Sequence, residues 1–168
     1  SVTLSRGITV LYNGKVVSEK VYEVFELPQC NIRLIEQDGK YTVAFVEVYD
    51  TYVVGRISTD GNTIYDKRNV LPPLNINEAD YDCLSLYNAS GANVSTGSIK
   101  AGTVLSVAFS QDKTHLKIVV SNNVAEGKLE TVEKRDNGTN IVVDGKEYFI
   151  PAFAPVTVPK TGSSVKLY

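Results

Sequence analysis

The chain has 168 residues, 43% of them hydrophobic and 21% charged, the composition expected of a soluble folded protein rather than a disordered one. Its 17 basic and 19 acidic residues leave a formal charge of -2, which excludes the basic stripe that phosphate binding demands, so nucleic acid is not an expected partner. No apolar run approaches the roughly 20 residues of a membrane-spanning helix, and the two cysteines, Cys30 and Cys83, show neither the density of a disulfide scaffold nor the CxxC spacing of a zinc site.

The first residues, SVTLSRGITV, lack the basic start and apolar core of a signal peptide and read as a processed or cut terminus. "TVLYNGKVV" then places Asn13-Gly14 between β-branched runs, the signature of a two-residue type I′ hairpin in which both turn residues take positive φ. Residues 18–27, SEKVYEVFEL, are the best candidate for a short helix, although KVYEVFE reads equally well as a strand. "IRLIEQDGKYTVAFVEVYDTYVVGRIS" (32–58) is an apolar strand, a Gln-Asp turn, a longer strand and a kink into V-x-G-x-I. In its middle, Tyr41, Val43 and Phe45 alternate with Ala44, Val46 and Val48, so neither face is polar and both are expected to be covered, the second by a neighbouring unit.

"NINEADYD" offers Asn75, Asn77, Glu78, Asp80 and Asp82, the hard oxygen ligands that calcium takes. It lacks the glycine and the terminal glutamate that shape the twelve-residue calcium loop, so it reads as a solvated loop. "IKAGTVLSVAFSQDKTHLKIVVSNNVAEGKLE" (99–130) repeats the order of 32–58. Asp112 corresponds to Asp38 and Gly127 to Gly55, with a small indel between. Leu105, Val107 and Phe109, then Leu116, Ile118 and Val120, form one apolar hairpin face, with His115 and Lys117 on the polar side. "NIVVDGKEY" repeats the Asn-Gly hairpin as Asp144-Gly145. "VPKTGSSVKLY" repeats the Lys-x-Gly that leads "IKAGTVLSV" into its strand. By this phasing the sequence stops where a hairpin should begin. It is therefore expected to be a segment of a longer protein, or its last strand, Val165 to Tyr168, is expected to pair outside it.

The expected fold is all-β, in tandem small barrel or sandwich units packed in series with little helix. One complete unit of about 70 residues spans 51–122, between a partial hairpin-and-meander portion at 1–50 and a following, truncated unit at 123–168. No Gly/Ser- or Pro-rich linker separates them, so close packing between units is expected rather than beads on a string.

The phrases "FVEVYDTYVVGRISTDGNTIYDK", "GSIKAGTVLSVAFSQDKTHLKIVVSNNVAEGKLETVE" and "VVDGKEYFIP" resemble the β-rich region of large Gram-positive, clostridial-type cell-surface proteins that carry S-layer homology domains elsewhere in their chains. The resemblance covers most of residues 30–151, and its motifs are structural rather than catalytic. It implies export and a location at the bacterial cell surface. The family has more acidic turns than "EQDGK" and "SQDKT", a difference that weakens a calcium role. It has an apolar residue where Cys83 stands, which favours a packed thiol over a redox centre. "LPQCN", around Cys30, matches nothing in it.

Residues able to carry chemistry are few. His115 is the only histidine and no G-x-S-x-G turn accompanies it, so a Ser-His-Asp triad is not expected. Glu126, Glu130, Glu133 and Asp136 mix with Lys128, Lys134 and Arg135 as solvated faces do. Tyr12, Tyr49, Tyr52, Tyr65 and Tyr87 are able to stack on sugar rings but are also ordinary strand residues. Asn88-Ala-Ser90, Asn93-Val-Ser95 and Asn137-Gly-Thr139 fit the N-glycosylation pattern and mark surface loops. The expectation is thus a non-catalytic spacer without cofactor, metal or catalytic residues, contributing to a surface assembly. Its expected partners are neighbouring units of the same chain and other copies met through exposed strand edges. The alternative is a module that binds cell-wall glycans.

Overall fold

The computed structural model describes residues 3–18, 22–27, 30–152, 154 and 156–167. These form an all-β chain of 14 strands, interrupted only by single 3-10 turns, the first at Glu23–Phe25. That turn is all the helix found in the 18–27 candidate, of which residues 19–21 lie outside the described residues.

Three sheets follow in chain order. The first joins β1 (Leu4–Tyr12), β2 (Lys15–Val16), β3 (Asn31–Gln37) and β4 (Lys40–Glu47) in the order β2-β1-β4-β3. The second joins β5 (Asp50–Ile57), β6 (Thr63–Asp66), β7 (Leu74–Asn75), β8 (Cys83–Asn88), β9 (Val104–Phe109) and β10 (His115–Ser121) in the order β7-β6-β5-β9-β10-β8. The third joins β11 (Ala125–Arg135), β12 (Gly138–Val143), β13 (Lys146–Pro151) and β14 (Ser164–Leu167) in the order β13-β12-β11-β14. By compactness the chain divides into two units, 1–121 and 122–168.

The turn chemistry follows the sequence closely. Asn13-Gly14 (φ 46° and 89°) and Asp144-Gly145 (φ 46° and 74°) close two-residue hairpins, with Tyr12 opposite Lys15 and Val143 opposite Lys146. The two Lys-x-Gly phrases dock identically. Gly102 N–H donates to Val54 O and Val54 N–H to Thr103 O, at 2.7 and 2.9 Å; Gly162 N–H donates to Leu129 O and Leu129 N–H to Ser163 O, at the same two distances. Topology repeats as well, since the β3–β4 hairpin lies beside the earlier, parallel β1, as the β9–β10 hairpin lies beside the earlier, parallel β8.

The two glycines aligned in the sequence, Gly55 and Gly127, are not structural equivalents. The docking places Val54 with Leu129, so Gly55 corresponds to Glu130. Each glycine has its own steric reason: a Cβ on Gly55 would lie 2.8 Å from the backbone Cα of Lys67, and one on Gly127 would meet the Asp144 carboxylate.

In the first unit, Val10, Ala44 and Val46 face one core and Val54, Ile64, Leu105, Leu116 and Ile118 another. The opposite face of β4 departs from expectation: Tyr41, Val43 and Phe45 are only half-buried, and Phe45 is covered by the Arg33 guanidinium 4.5 Å above its ring. The long arm of an arginine supplies part of the shielding expected from a neighbouring unit. In the second unit the buried aliphatic centre is Leu129, Ile141 and Val143.

Candidate functional site

The first unit has a cleft of about 660 Å³ whose walls come from both of its sheets. Tyr12 enters from the end of β1, Asp50 and Tyr52 from β5, Pro72 and Pro73 from the loop before β7, Tyr81 from the loop before β8, and Phe109 from the end of β9. Two prolines cannot donate to a ladder, which keeps this edge of the sheet as an open rim.

The aromatic groups are held by their polar ends. Tyr52 is almost fully buried and donates its hydroxyl to Pro72 O at 3.0 Å, while the Tyr81 hydroxyl donates to Asn75 O at 2.8 Å. Tyr81 lies tilted against Phe109 at a centroid distance of 6.4 Å. Burial, and then the Asp50 carboxylate, push the phenol pKa values of Tyr12 and Tyr52 up; burial and then Asp80 do the same to Tyr81. All three therefore remain O–H donors at neutral pH. Asp50, Glu23, Asn75, Gln111 and Lys113 add polar groups to the lining. Such a cleft offers the half-buried rings of Tyr12, Tyr81 and Phe109 for stacking, and the Asp50 and Glu23 carboxylates for a hydroxyl or cationic group.

Three side chains tie the first sheet and its β1–β2 turn to the second sheet. Asn13 is buried, donates Nδ2–H to Val48 O (3.2 Å) and Phe109 O (2.6 Å), and accepts from Val48 N–H (2.9 Å). Lys15 Nζ bonds Asp112 Oδ2 and Thr114 Oγ1, each at 2.6 Å, and this lysine, with Ser110 and Thr114, holds the Asp112 carboxyl well below the usual carboxylate range. Lys117 meets Glu47 at 3.0 Å, and its ammonium is pushed up by Tyr49 first, against desolvation, and then by Glu47.

The other singled-out residues are dispersed. Of the five tyrosines, only Tyr12 and Tyr52 share the cleft; Tyr65 carries the Arg56 guanidinium 3.4 Å over its ring, Tyr49 faces Lys117 at 5.5 Å, and Tyr87 lines a shallower groove of about 550 Å³ with Cys83 and His115. Cys83 is exposed, a correction to the expectation of a packed thiol, because its register opposite His115 puts it on the outer face of β8. Cys30 is half-buried beside the first core, and both thiols are free. His115 Nδ1 lies 3.1 Å from Thr114 Oγ1. In the acidic loop, Asn75 and Asn77 donate their amides to Asp80 Oδ2 at 2.6 and 3.3 Å, so the would-be ligands bond one another. Among the described residues, no three His, Cys, Asp or Glu side chains are placed to hold a metal ion, and no helix is long and apolar enough to cross a membrane.

Asp50, Tyr81 and Phe109 escaped the sequence reading as members of one site. Pro72-Pro73 was the available signal, since a double proline beside a strand marks a sheet edge that a cleft is able to use. No protein-family model, curated protein or solved structure matches this chain.

Proposed function

We propose that the chain is a non-catalytic structural segment of an exported bacterial cell-surface protein of the S-layer-associated kind, made of tandem small β units packed in series. The observation that carries this reading is the recurrence of one docking, Lys-x-Gly onto Val54 and onto Leu129, together with the recurrence of a hairpin beside a parallel strand. Repeated modules of this sort add length and surface at low design cost, each contributing its own core. The motif resemblance supplies the surface location. The test is the native mass of the protein extracted from its source cells without denaturant. A wall-bound, high-mass assembly supports the reading, and a free monomer in the cytosolic fraction overturns it.

A second reading, a module that binds cell-wall glycans, is favoured by the Tyr12, Tyr52 and Tyr81 cleft. Sugar rings stack on aromatic faces while hydroxyls and a carboxylate take their polar edges. Titrating soluble peptidoglycan fragments while following tyrosine fluorescence should give a saturable change that Tyr12→Ala reduces at least about tenfold in affinity, or 1.4 kcal/mol. An unaltered curve in the variant removes this site.

A further inference from the structure

The polar groups of the first unit's cleft fall into two sets, and the fold uses only one of them. The Tyr52 hydroxyl donates to Pro72 O and the Tyr81 hydroxyl to Asn75 O. Elsewhere in this unit Asp60, Asp66, Asp80 and Asp112 each accept a hydrogen bond from a nearby side chain or backbone amide, so their carboxylates belong to turns and strand ends. Asp50 is different. It stands exposed at the first residue of β5, and among the described residues neither its carboxylate nor the Tyr12 hydroxyl is taken up by a hydrogen bond or an ion pair.

What surrounds this carboxylate defines the group it fits. After burial, the Asp50 charge is the next cause that raises the phenol pKa values of both Tyr12 and Tyr52, so it acts on two walls of the cleft at once. Tyr12, Tyr81 and Phe109 bring half-buried rings to the same space. The charged lining sets two carboxylates, Glu23 and Asp50, against the one ammonium of Lys113. An aromatic face is the negative end of the ring quadrupole and attracts a cation, more strongly where water is partly excluded. A carboxylate beside such faces therefore favours an ammonium over a neutral amide, and repels a second carboxylate.

We propose that the cleft selects amino sugars whose nitrogen is a free ammonium, held by the Asp50 carboxylate while the half-buried rings take the apolar sugar face and the Tyr12 hydroxyl bonds a sugar hydroxyl. The ligand class is a glucosamine-type glycan without N-acetyl groups, since acetylation replaces the charge with a neutral amide. This selection rests on the glycan-binding reading of the cleft and adds the group by which otherwise similar sugars are told apart.

The probes are the tetrasaccharide of glucosamine and its fully N-acetylated counterpart, titrated calorimetrically into the full 168-residue chain at about pH 6, where the amines are protonated. The amine form should bind at least about tenfold more tightly. Asp50→Asn should bring the amine form down to the affinity of the acetylated form and leave the latter unchanged, with the thermal transition in place because the side chain is exposed and unbonded. Tyr12→Ala should weaken both sugars. Asp38→Asn makes the same charge change in the β3–β4 turn, outside the cleft, and should keep the preference, which separates a local contact from general attraction of a cation to an acidic protein. Equal wild-type affinities, with binding that Tyr12→Ala reduces, overturn the ammonium selection and leave the glycan reading standing. A preference that survives Asp50→Asn, or that Asp38→Asn also removes, overturns the site. Failure of both tetrasaccharides to bind overturns the selection, and the glycan reading falls with it only if peptidoglycan fragments fail as well.

Discussion

A single amide, that of Asn13, does the work of a small interface. It sits at φ 46°, where few residues other than glycine, asparagine and aspartate rest easily, and its side chain satisfies both backbone groups of Val48 and the carbonyl of Phe109. Asn13→Ala should lower the stability of residues 1–121 by about 2–4 kcal/mol in urea unfolding, through lost hydrogen bonds, stranded partners and turn strain. Asn13→Gly, which relieves only the strain, should recover part of that loss. Asp66 is the corresponding charged case. Its buried carboxylate accepts from Val53 N–H at 3.0 Å and Val70 N–H at 3.1 Å. Burial raises its pKa, but these donors and Arg68 outweigh burial and hold it below the ordinary value. A depressed folded pKa contributes stability that is present above the unfolded value near 4 and is lost as pH falls through the folded one. Asp66→Asn should therefore flatten the acid limb of a stability-against-pH curve, and should cost about 1–3 kcal/mol at neutral pH. An unchanged acid limb would assign the acid sensitivity to other carboxylates.

At the scale of the element, what sequence could and could not show divides along a physical line. Turn types were readable because positive φ restricts residue choice: Asn13-Gly14 and Asp144-Gly145 close the hairpins their dipeptides predict. Strand alternation was readable where one face is polar, as along β9 and β10. The equivalence of Gly55 and Gly127 was misread because a glycine in a strand has several causes, a bulge beside Lys67 in one case and a carboxylate in the other, and the letter is the same. The cleft was unreadable because its walls come from elements far apart in sequence, brought together by the order of the sheets. Gly127 allows a direct test. Gly127→Ala drives a methyl into the Asp144 carboxylate, which itself accepts from Lys128 N–H at 3.0 Å. The substitution should cost about 1–3 kcal/mol, and much less in an Asp144→Gly background, where the obstruction is gone. A double-mutant cycle showing no coupling between the two sites would refute that contact.

For the molecule as a whole, the two compact units differ in how much they bury. Residues 1–121 hold two aliphatic cores with six-stranded and four-stranded sheets, whereas the second unit centres on three buried side chains. Stability tracks buried apolar area, so the second unit should open first. Hydrogen exchange should show amides of β12 exchanging faster than those of β9 and β10, and denaturant unfolding should be broader than a single two-state transition. Uniform exchange across all three strands would indicate one cooperative block instead.

The way Asn13 is held also sets how the protein ages. Asparagine followed by glycine is the dipeptide most prone to lose its amide, because the unhindered glycine nitrogen attacks the side-chain carbonyl to form a succinimide that opens to aspartate or isoaspartate. The chain carries two such pairs, Asn13-Gly14, buried with its amide engaged twice, and Asn137-Gly138, whose asparagine is exposed at the β11–β12 turn. Folding therefore acts as a chemical preservative for the first and not the second. In stored native protein, peptide mapping should find the amide-to-acid mass gain at Asn137 well before Asn13. In urea the two should convert together, and a molecule that has aged at Asn13 while unfolded has lost the donors its hairpin needs to close again.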